Sequence, residues 1–405
     1  METEKLLQMR KERGEAIAKT AHILKVSKNE WLVPSQTKTG AYTVRIFQDK
    51  QTCTCPDFIE RGLKCKHLFA VEIKQTLQVV NTDGSKTTIT KKVTYSQNWS
   101  SYNKSQIEEK EKFLGIINGL IEDIEEPQYA FGRPQMPLRD LIFASALKVY
   151  SQFSLRRFQT DLRLAKEKGF TDKVPCYSSV GKFMEREDIT PMLYGLLLKS
   201  SLPLKAIETK FAIDSSGFST KNFGEYCNIK HKMNQQHEWM KAHICVGVKT
   251  GIITSAKITE ETGADCPQFI PMLEETKSNG FDIQEATGDK AYSSRDNVGY
   301  VDSIGGTAYI PFKRGSSGKP RGKSWAWRKM FHYFMMNRDE FLEHYHLRSN
   351  VESIFGAIKN KLGGSLKSRT KTAQTNELLL KLICYNITIL IQQINELGIT
   401  LNFYA

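Results

Sequence analysis

Four residues near the amino terminus have the types and spacing of a zinc site. Cys53 and Cys55 are followed, after nine intervening residues, by Cys65 and His67. Three thiolates and an imidazole complete a tetrahedral zinc shell, with no position left for water. We therefore expect structural Zn²⁺ that stabilises a fold too small for its own core. The alternative is incidental thiols beside a histidine; the scattered cysteines at 176, 227, 245, 266 and 384 do not resemble a disulfide framework.

Two aspartates further along the chain each stand at the end of an apolar segment. Asp214 ends the predicted strand Phe211 to Asp214, and Asp289 follows a second predicted strand near Ile283 to Thr287. A side chain at a strand end can emerge from a buried support into a site. Each aspartate alone could equally be a turn or helix cap.

A third acidic residue, Glu352, lies in the segment Glu340 to Leu362, whose apolar residues recur at helical spacing until Gly363 and Gly364. We predict one amphipathic helix here. At about 100° per residue, four polar side chains fall within an arc of about 60° along one edge of the apolar stripe. They are Tyr345, Arg348, Glu352 and Lys359. The alternative is an ordinary surface pair of Arg348 and Glu352 at i, i+4.

Composition limits the class of protein that carries these residues. The chain has 405 residues, a hydrophobic fraction of 40% and a net charge of +14. This length predicts two or three domains, and the charge favours a polyanionic partner. No secretory signal is expected in residues 1–25, and charged and amide side chains interrupt the apolar stretch 378–394, so we predict no membrane span and a cytoplasmic location.

The hydrophobic pattern divides the chain into three predicted parts. Residues 1–95 contain the cysteine cluster and a strand at 42–47; residues 96–205 read as a linker and helices. In the second part, the basic segment 154–168 is either a solvated helix face or part of a helix-turn-helix that contacts DNA. Residues 206–405 begin with three strands and continue with alternating helices and strands. The predicted fold class is α/β: an RNase H-like mixed sheet, an upstream helical domain and a small zinc finger.

Together these segments resemble the DDE transposases of bacterial and archaeal insertion sequences. The resemblance rests on Gly132-Arg-Pro, Asp214-Ser-Ser-Gly, Asp289-Lys-Ala-Tyr and the signature Tyr-x2-Arg-x3-Glu-x6-Lys that starts at Tyr345. It implies that Asp214, Asp289 and Glu352 form a catalytic triad. It also implies that Tyr345, Arg348 and Lys359 contact phosphates of the DNA end. The cysteine spacing resembles the SWIM zinc finger, a module that binds DNA or protein.

Such an enzyme would cleave DNA at the ends of the element and transfer the strand into target DNA. Three clustered carboxylates repel unless divalent cations neutralise them, so Mg²⁺ or Mn²⁺ is the expected catalytic metal, as two ions about 4 Å apart. Double-stranded DNA is the expected partner, with a homodimer on DNA and a nucleoid-associated location. No nucleotide cofactor is expected, because the Gly-Ser run at 315–318 lacks the rest of a phosphate loop.

Two alternatives share most of these residues. One is an RNase H-like nuclease that hydrolyses DNA without joining strands, and the other is a non-catalytic DNA-binding regulator derived from a transposase. Two basic stretches, at 313–329 and 359–371, flank the Glu352 segment and are expected to follow DNA phosphates. In the first of them, Trp325 and Trp327 could pack within the domain or stack on an unpaired base.

Overall fold

A computed structural model describes residues 2–21, 23–27, 29–36, 40–47, 51–77, 98–128, 131–132, 135–220, 239–319 and 324–403. Several residues named above lie outside these ranges, among them Arg133, Pro134, Cys227, Arg321 and Lys323. The chain divides into two compact units, Met1–Gln97 and Asn98–Ala405. The predicted helical region and the predicted catalytic region therefore both fall in the second unit.

The first unit is a small antiparallel sheet with helices. Its elements are α1 (Glu2–Thr20), β1 (Leu24–Ser27), β2 (Glu30–Pro34), β3 (Ala41–Ile46), β4 (Gln51–Cys53), α2 (Pro56–Arg61) and α3 (Lys66–Leu77). The strands pair in the order β1-β2-β3-β4. Trp31, Val33 and Val44 from the sheet are buried with Ile17 of α1 and Leu68 of α3. A core this small leaves a role for the metal site that the cysteines predict.

Helices α1 and α3 pack unusually close together. A Cβ atom placed on Gly14 of α1 would lie 2.6 Å from Cβ of Phe69 and 3.0 Å from the carbonyl oxygen of Lys66. Real Cβ atoms do not approach side chains at such distances, so only glycine fits. The position of α3, which carries His67, thus depends on a small residue in α1.

The second unit begins with helices and continues with a mixed sheet. The helices are α4 (Trp99–Ile107), α5 (Glu109–Leu120), α6 (Leu138–Ser151), α7 (Gln159–Glu167), α8 (Tyr177–Met184) and α9 (Ile189–Ser201). The sheet and its connecting helices are β5 (Lys210–Ser219), β6 (Trp239–Gly247), β7 (Ile253–Glu260), α10 (Phe269–Ser278), β8 (Glu285–Gly288), α11 (Arg295–Ser303) and β9 (Thr307–Tyr309).

The strand order β7-β6-β5-β8-β9 confirms the predicted RNase H-like mixed sheet. Strands β5, β6 and β7 are antiparallel neighbours, whereas β8 pairs parallel to β5 and β9 parallel to β8. The parallel pairs need crossover connections, which α10 and α11 supply. Side chains of β5 alternate between the two faces: Ala212 joins one hydrophobic core, and Phe211 and Ile213 join the other.

The chain ends in a group of helices: α12 (Trp325–Met336), α13 (Arg338–Tyr345), α14 (Ser349–Leu362) and α15 (Lys371–Leu397). Helix α15 is core, as its apolar pattern predicts, and Gly398 ends it with a left-handed φ of 67°. Among the described residues, α15 is one helix whose length and composition would suffice to cross a membrane. Its most apolar window is 89% buried within the fold, as in a core helix.

The segment Glu340 to Leu362 is not the single helix that its periodicity predicts. Helix α13 ends at Tyr345, a 3-10 turn spans His346–Arg348, and α14 begins at Ser349. Phe341 of α13 packs in the core that contains Tyr309, whereas Ile354 of α14 packs in the other core. Because the two halves serve different faces of the sheet, the chain turns between them, which periodicity alone cannot reveal. The predicted arc of four side chains on one helix is therefore wrong for Tyr345, which ends α13, and for Arg348, which lies in the 3-10 turn.

Candidate active site and metal centre

The four predicted zinc ligands meet in the first unit. Cys53 ends β4, Cys55 precedes α2, Cys65 precedes α3 and His67 lies in the first turn of α3. Their four ligand atoms lie within 4.8 Å of one another, and all four residues are buried. Nδ1 of His67 is 3.8 Å from Sγ of Cys53 and 3.9 Å from Sγ of Cys65.

These distances suit a tetrahedral zinc ion. Bonds of about 2.3 Å to sulfur and about 2.0 Å to nitrogen separate neighbouring ligand atoms by about 3.5 to 3.8 Å. The side chains of Cys53 and Cys65 also form a hydrogen bond with each other. This bond lowers the pKa of Cys65 to about 4 and raises the pKa of Cys53. A thiol that ionises readily is ready to bind a metal. The residues present therefore fit Zn²⁺.

In the second unit, the pairing of β5 with β8 positions the two aspartates. The strands are parallel, and Ile213 pairs with Gly288. Asp214 and Asp289 are the next residue on each strand, so they occupy the same edge of the sheet on adjacent strands. As expected of neighbouring carboxylates, the charge of Asp289 raises the pKa of Asp214. Asp289 also caps the following turn by accepting a hydrogen bond of 2.7 Å from the amide of Ala291, so the cap and the site are compatible roles.

Arg348 connects Asp214 to Glu352. Its Nη2 atom lies 3.0 Å from Oδ2 of Asp214 and 2.9 Å from Oε1 of Glu352. The pair of Arg348 and Glu352 at i, i+4 is thus present, but it also includes a residue 134 positions away on β5. Among the described residues, the cysteines and His67 are the group whose ligand atoms lie close enough to hold one ion. Asp214, Asp289 and Glu352 do not form such a group in this structure, and two of them are ion-paired with Arg348 instead.

The environment of Asp214 disfavours its charge. Burial is the largest cause and raises the pKa of this carboxyl above its ordinary value, and the charge of Asp289 adds to the shift. The amide of Ser215 and the guanidinium of Arg348 oppose it. Only 14% of the Asp214 side chain is exposed, against 60% for Glu352. The site therefore combines a buried carboxylate with one that is open to solvent.

Lys359 approaches the same strand from α14. Its Nζ donates a hydrogen bond of 2.7 Å to Oγ of Ser216 and lies 5.2 Å from the ring centroid of Phe218. Ser216 is two residues beyond Asp214, so both side chains are on one face of β5. Tyr345 is half-buried at the end of α13. The six predicted active-site residues thus lie in β5, directly after β8, and in the segment from the end of α13 through α14.

Sequence reasoning missed a polar cluster beside Asp214. Asp265 accepts hydrogen bonds from Ser215 (2.8 Å) and Lys241 (2.7 Å), and Nδ1 of His243 lies 3.3 Å away. Asp265 stands in a loop after β7, where no pattern singles it out. Tyr292, in the quoted Asp289-Lys-Ala-Tyr motif, is 1% exposed, and its hydroxyl finds no hydrogen-bond partner among the described residues. Both aspartates of the site and Asp265 raise the pKa of Tyr292, after burial.

The first basic stretch is only partly described, and its two tryptophans differ. Trp327 is buried, donates 3.0 Å to the carbonyl oxygen of Ser317 and packs on Phe312. Trp325 is 70% exposed beside Arg328. Packing within the domain is therefore the role of Trp327, and Trp325 is the one that is open to a ligand.

The zinc site generates a direct prediction. Changing Cys65 to Ser or His67 to Ala should remove bound zinc and unfold the first unit, because a core this small depends on the metal. Elemental analysis and circular dichroism measure both effects. Cys176→Ser is the matched control, because Cys176 is an exposed thiol outside the cluster. Zinc content unchanged in the Cys65 and His67 variants would contradict the assignment.

Comparison with known proteins agrees with this geometry. The family described as SWIM zinc finger matches residues 42–75, and the family described as Transposase DDE domain matches residues 205–387. A cryo-EM structure of the piggyBac transposase synaptic complex with hairpin DNA aligns with a TM-score of 0.34 and 11% identity, over 72% of this chain and 74% of that chain. Residues 205–387 are therefore similar to transposase DDE domains, and residues 42–75 are similar to SWIM zinc fingers.

Proposed function

We propose that this protein is a DNA transposase that cleaves phosphodiesters at the ends of an insertion sequence and transfers the strand into target DNA. The observation that supports this most strongly is the register of β5 and β8, which puts Asp214 and Asp289 side by side, with Arg348 linking Asp214 to Glu352. Such a set of carboxylates, within a transposase DDE domain, matches the chemistry of phosphoryl transfer.

Asp214, Asp289 and Glu352 would hold the catalytic cation. Their oxygen donors suit Mg²⁺, with Mn²⁺ as a substitute, and the buried Asp214 has an unfavourable charge that a cation would stabilise. When bound, the metal supplies Lewis-acid activation of the attacking oxygen and stabilisation of the departing one. Arg348 holds two of the three carboxylates in place while the site is free of metal.

The cationic side chains would position the DNA strand. Lys359 lies over β5, where its ammonium contacts Ser216 and the ring of Phe218, and Ser216 is on the same face of β5 as Asp214. An ammonium in this position can donate to a phosphate oxygen of the DNA backbone in exchange for the serine hydroxyl. Arg348 contacts Asp214 of the same strand, and Tyr345 ends the helix that precedes it. Phosphate contacts of this kind set the register of the scissile bond and carry no sequence information.

Double-stranded DNA is the proposed partner, in a homodimer that brings two ends together, and the proposed location is the cytoplasm, on the nucleoid. A nuclease without strand transfer would use the same carboxylates, and a regulator would use only the DNA-binding faces. A strand-transfer assay with a pre-cleaved end and a supercoiled target separates these functions. Joined product favours the transposase, nicking alone favours the nuclease, and binding without either favours the regulator.

The triad generates the first activity prediction. Asp214→Asn, Asp289→Asn and Glu352→Gln should each abolish Mg²⁺-dependent cleavage and leave DNA binding intact, as measured on a labelled duplex and by mobility shift. Glu274→Gln, a change on the exposed face of α10, is the control that should cleave normally. Cleavage that persists in any triad variant would remove that residue from the site.

Asp214→Asn should also leave the metal-free fold as stable as wild type or more stable. The pKa of Asp214 is raised in the folded state, so protonation stabilises the fold as the pH falls through that pKa, and the charged form at neutral pH is disfavoured. A neutral amide removes that cost. Thermal melts at pH 7 with a chelator test this, and a clearly lower melting temperature for Asp214→Asn would contradict it.

Lys359→Ala should weaken DNA binding and reduce the slope of log K against log salt by about 1, because one phosphate contact is lost. Binding is measured over a salt series by fluorescence anisotropy. Lys277→Ala, which removes an exposed charge on α10 away from β5, is the control. An unaltered slope in Lys359→Ala would refute the phosphate role.

A further inference from the structure

A pocket lies within the Asn98–Ala405 unit, between α6, α8 and the loop at 363–370 that joins α14 to α15. Its volume is about 460 Å³, within the range of sites that hold small molecules. Its basic side chains are Lys148, Lys367 and Arg369, and its large apolar side chains are Phe153, Leu155 and Met184. The exposed carboxylate of Glu185 also lines it. The catalytic proposal uses none of these residues.

Lys148 is the unusual member of this set. It lines the pocket and is only 6% exposed, yet no residue that the structure describes accepts a hydrogen bond from its ammonium. A buried ammonium without a partner is costly. The carboxylate that acts on it, Glu377, accepts hydrogen bonds from the amides of Lys367 (3.0 Å) and Ser368 (2.8 Å). Lys148 is thus a donor without an acceptor, inside a cavity large enough to hold one.

The loop that forms one wall is held by several hydrogen bonds. Lys381 donates to the carbonyl oxygens of Gly363 (2.7 Å) and Ser365 (2.8 Å), and Gln374 donates to that of Ser368 (3.1 Å). With Glu377 on the amides, both polar sides of this backbone are satisfied. The pocket is therefore preformed, so a ligand would not have to order the wall on binding.

The opposite wall offers an apolar and aromatic surface. Phe153 is 40% exposed, and the guanidinium of Arg157 lies 4.9 Å from its ring centroid. Leu155 and Met184 continue this wall. Cations on one side and an aromatic ring on the other suit a ligand that has a phosphate and a flat apolar group. A nucleotide has both, with its base able to stack on a ring and its phosphate able to accept from lysine.

The same loop is attached to the catalytic strand. The amide of Leu366 donates 2.7 Å to the carbonyl oxygen of Ser219, and the amide of Ser219 donates 3.1 Å to that of Gly364. Ser219 ends β5, five residues after Asp214. The loop that lines the pocket is therefore hydrogen-bonded to the end of the strand that carries Asp214.

We propose that this pocket binds an unpaired nucleotide of a DNA strand, with its phosphate on Lys148 and Arg369 and its base against Phe153 and Leu155. The inference rests on the proposed function in one respect: DNA is taken as the polymer. It assigns a role to an unpaired part of the strand, whereas Lys359 and Arg348 serve the phosphates at the scissile bond.

The test compares two DNA probes with the full-length protein: a blunt duplex and the same duplex with a short single-stranded extension. Wild type should bind the extended duplex more tightly, by fluorescence anisotropy. Lys148→Met should bind it about tenfold more weakly, the effect of losing a hydrogen bond to a charged group, with little change for the blunt duplex. Lys277→Met, with the same loss of charge at an exposed site, should keep the wild-type preference for the extended duplex.

A melting curve separates loss of binding from loss of folding. The curve is needed because Lys148→Met removes a buried cation that acts on the buried carboxylate of Glu377. If that variant fails to fold, Arg369→Gln, at an exposed position, takes its place with the same pair of probes and the same expected loss of preference.

Three results would overturn the proposal. Equal loss of both probes would make Lys148 a general electrostatic contributor. Competition by thymidine monophosphate, with no preference for the extension in wild type, would make the ligand a free nucleotide. If wild type cleaves DNA and binds the blunt duplex but shows no preference for the extended duplex, the pocket proposal alone is rejected. If wild type binds neither duplex, the proposed function is rejected as well.

Discussion

The parallel pairing of β5 with β8 is the constraint on which the proposed active site depends. Because Ile213 pairs with Gly288, the next residues, Asp214 and Asp289, lie side by side. Their mutual repulsion needs a positive charge, and in this structure Arg348 is the nearest one to Asp214. Arg348 comes from the turn that separates α13 from α14, so the same short segment supplies both Glu352 and the counter-charge.

The sequence predicted which elements carry these residues better than it predicted where in the elements they lie. Asp289 directly follows β8 as expected, but Asp214, predicted to end its strand, lies inside β5, which continues to Ser219. Hydrophobic periodicity reports burial, and the polar residues after Asp214 hid the rest of the strand. The 3-10 turn at His346–Arg348 was not predictable, because two cores on opposite faces of the sheet compete for α13 and α14. Asp265 was missed for a related reason: its partners Ser215, Lys241 and His243 lie on two other strands.

The zinc finger was more predictable because its chemistry is local. Cys53 and His67 are only 14 residues apart, so spacing in the sequence closely constrains spacing in space. The packing of helices, by contrast, depends on contacts between residues that are far apart in the sequence. The close contact of α1 with α3 rests on Gly14 facing Phe69, and a glycine inside a helix gives no indication of its partner. Local ligand patterns are therefore readable, whereas packing between helices has to be observed.

Helix α15 contacts both the helical region and the sheet through polar side chains buried in its interior. Asn376 donates to the carbonyl oxygens of Met184 and Arg186, and Asn386 bonds both backbone groups of Ile253 and the hydroxyl of Ser200. If the helices moved relative to the sheet, these amides would lose their hydrogen bonds inside an apolar core. Relative motion of these layers would break several buried hydrogen bonds at once, so the helical region and the sheet should behave as one rigid body.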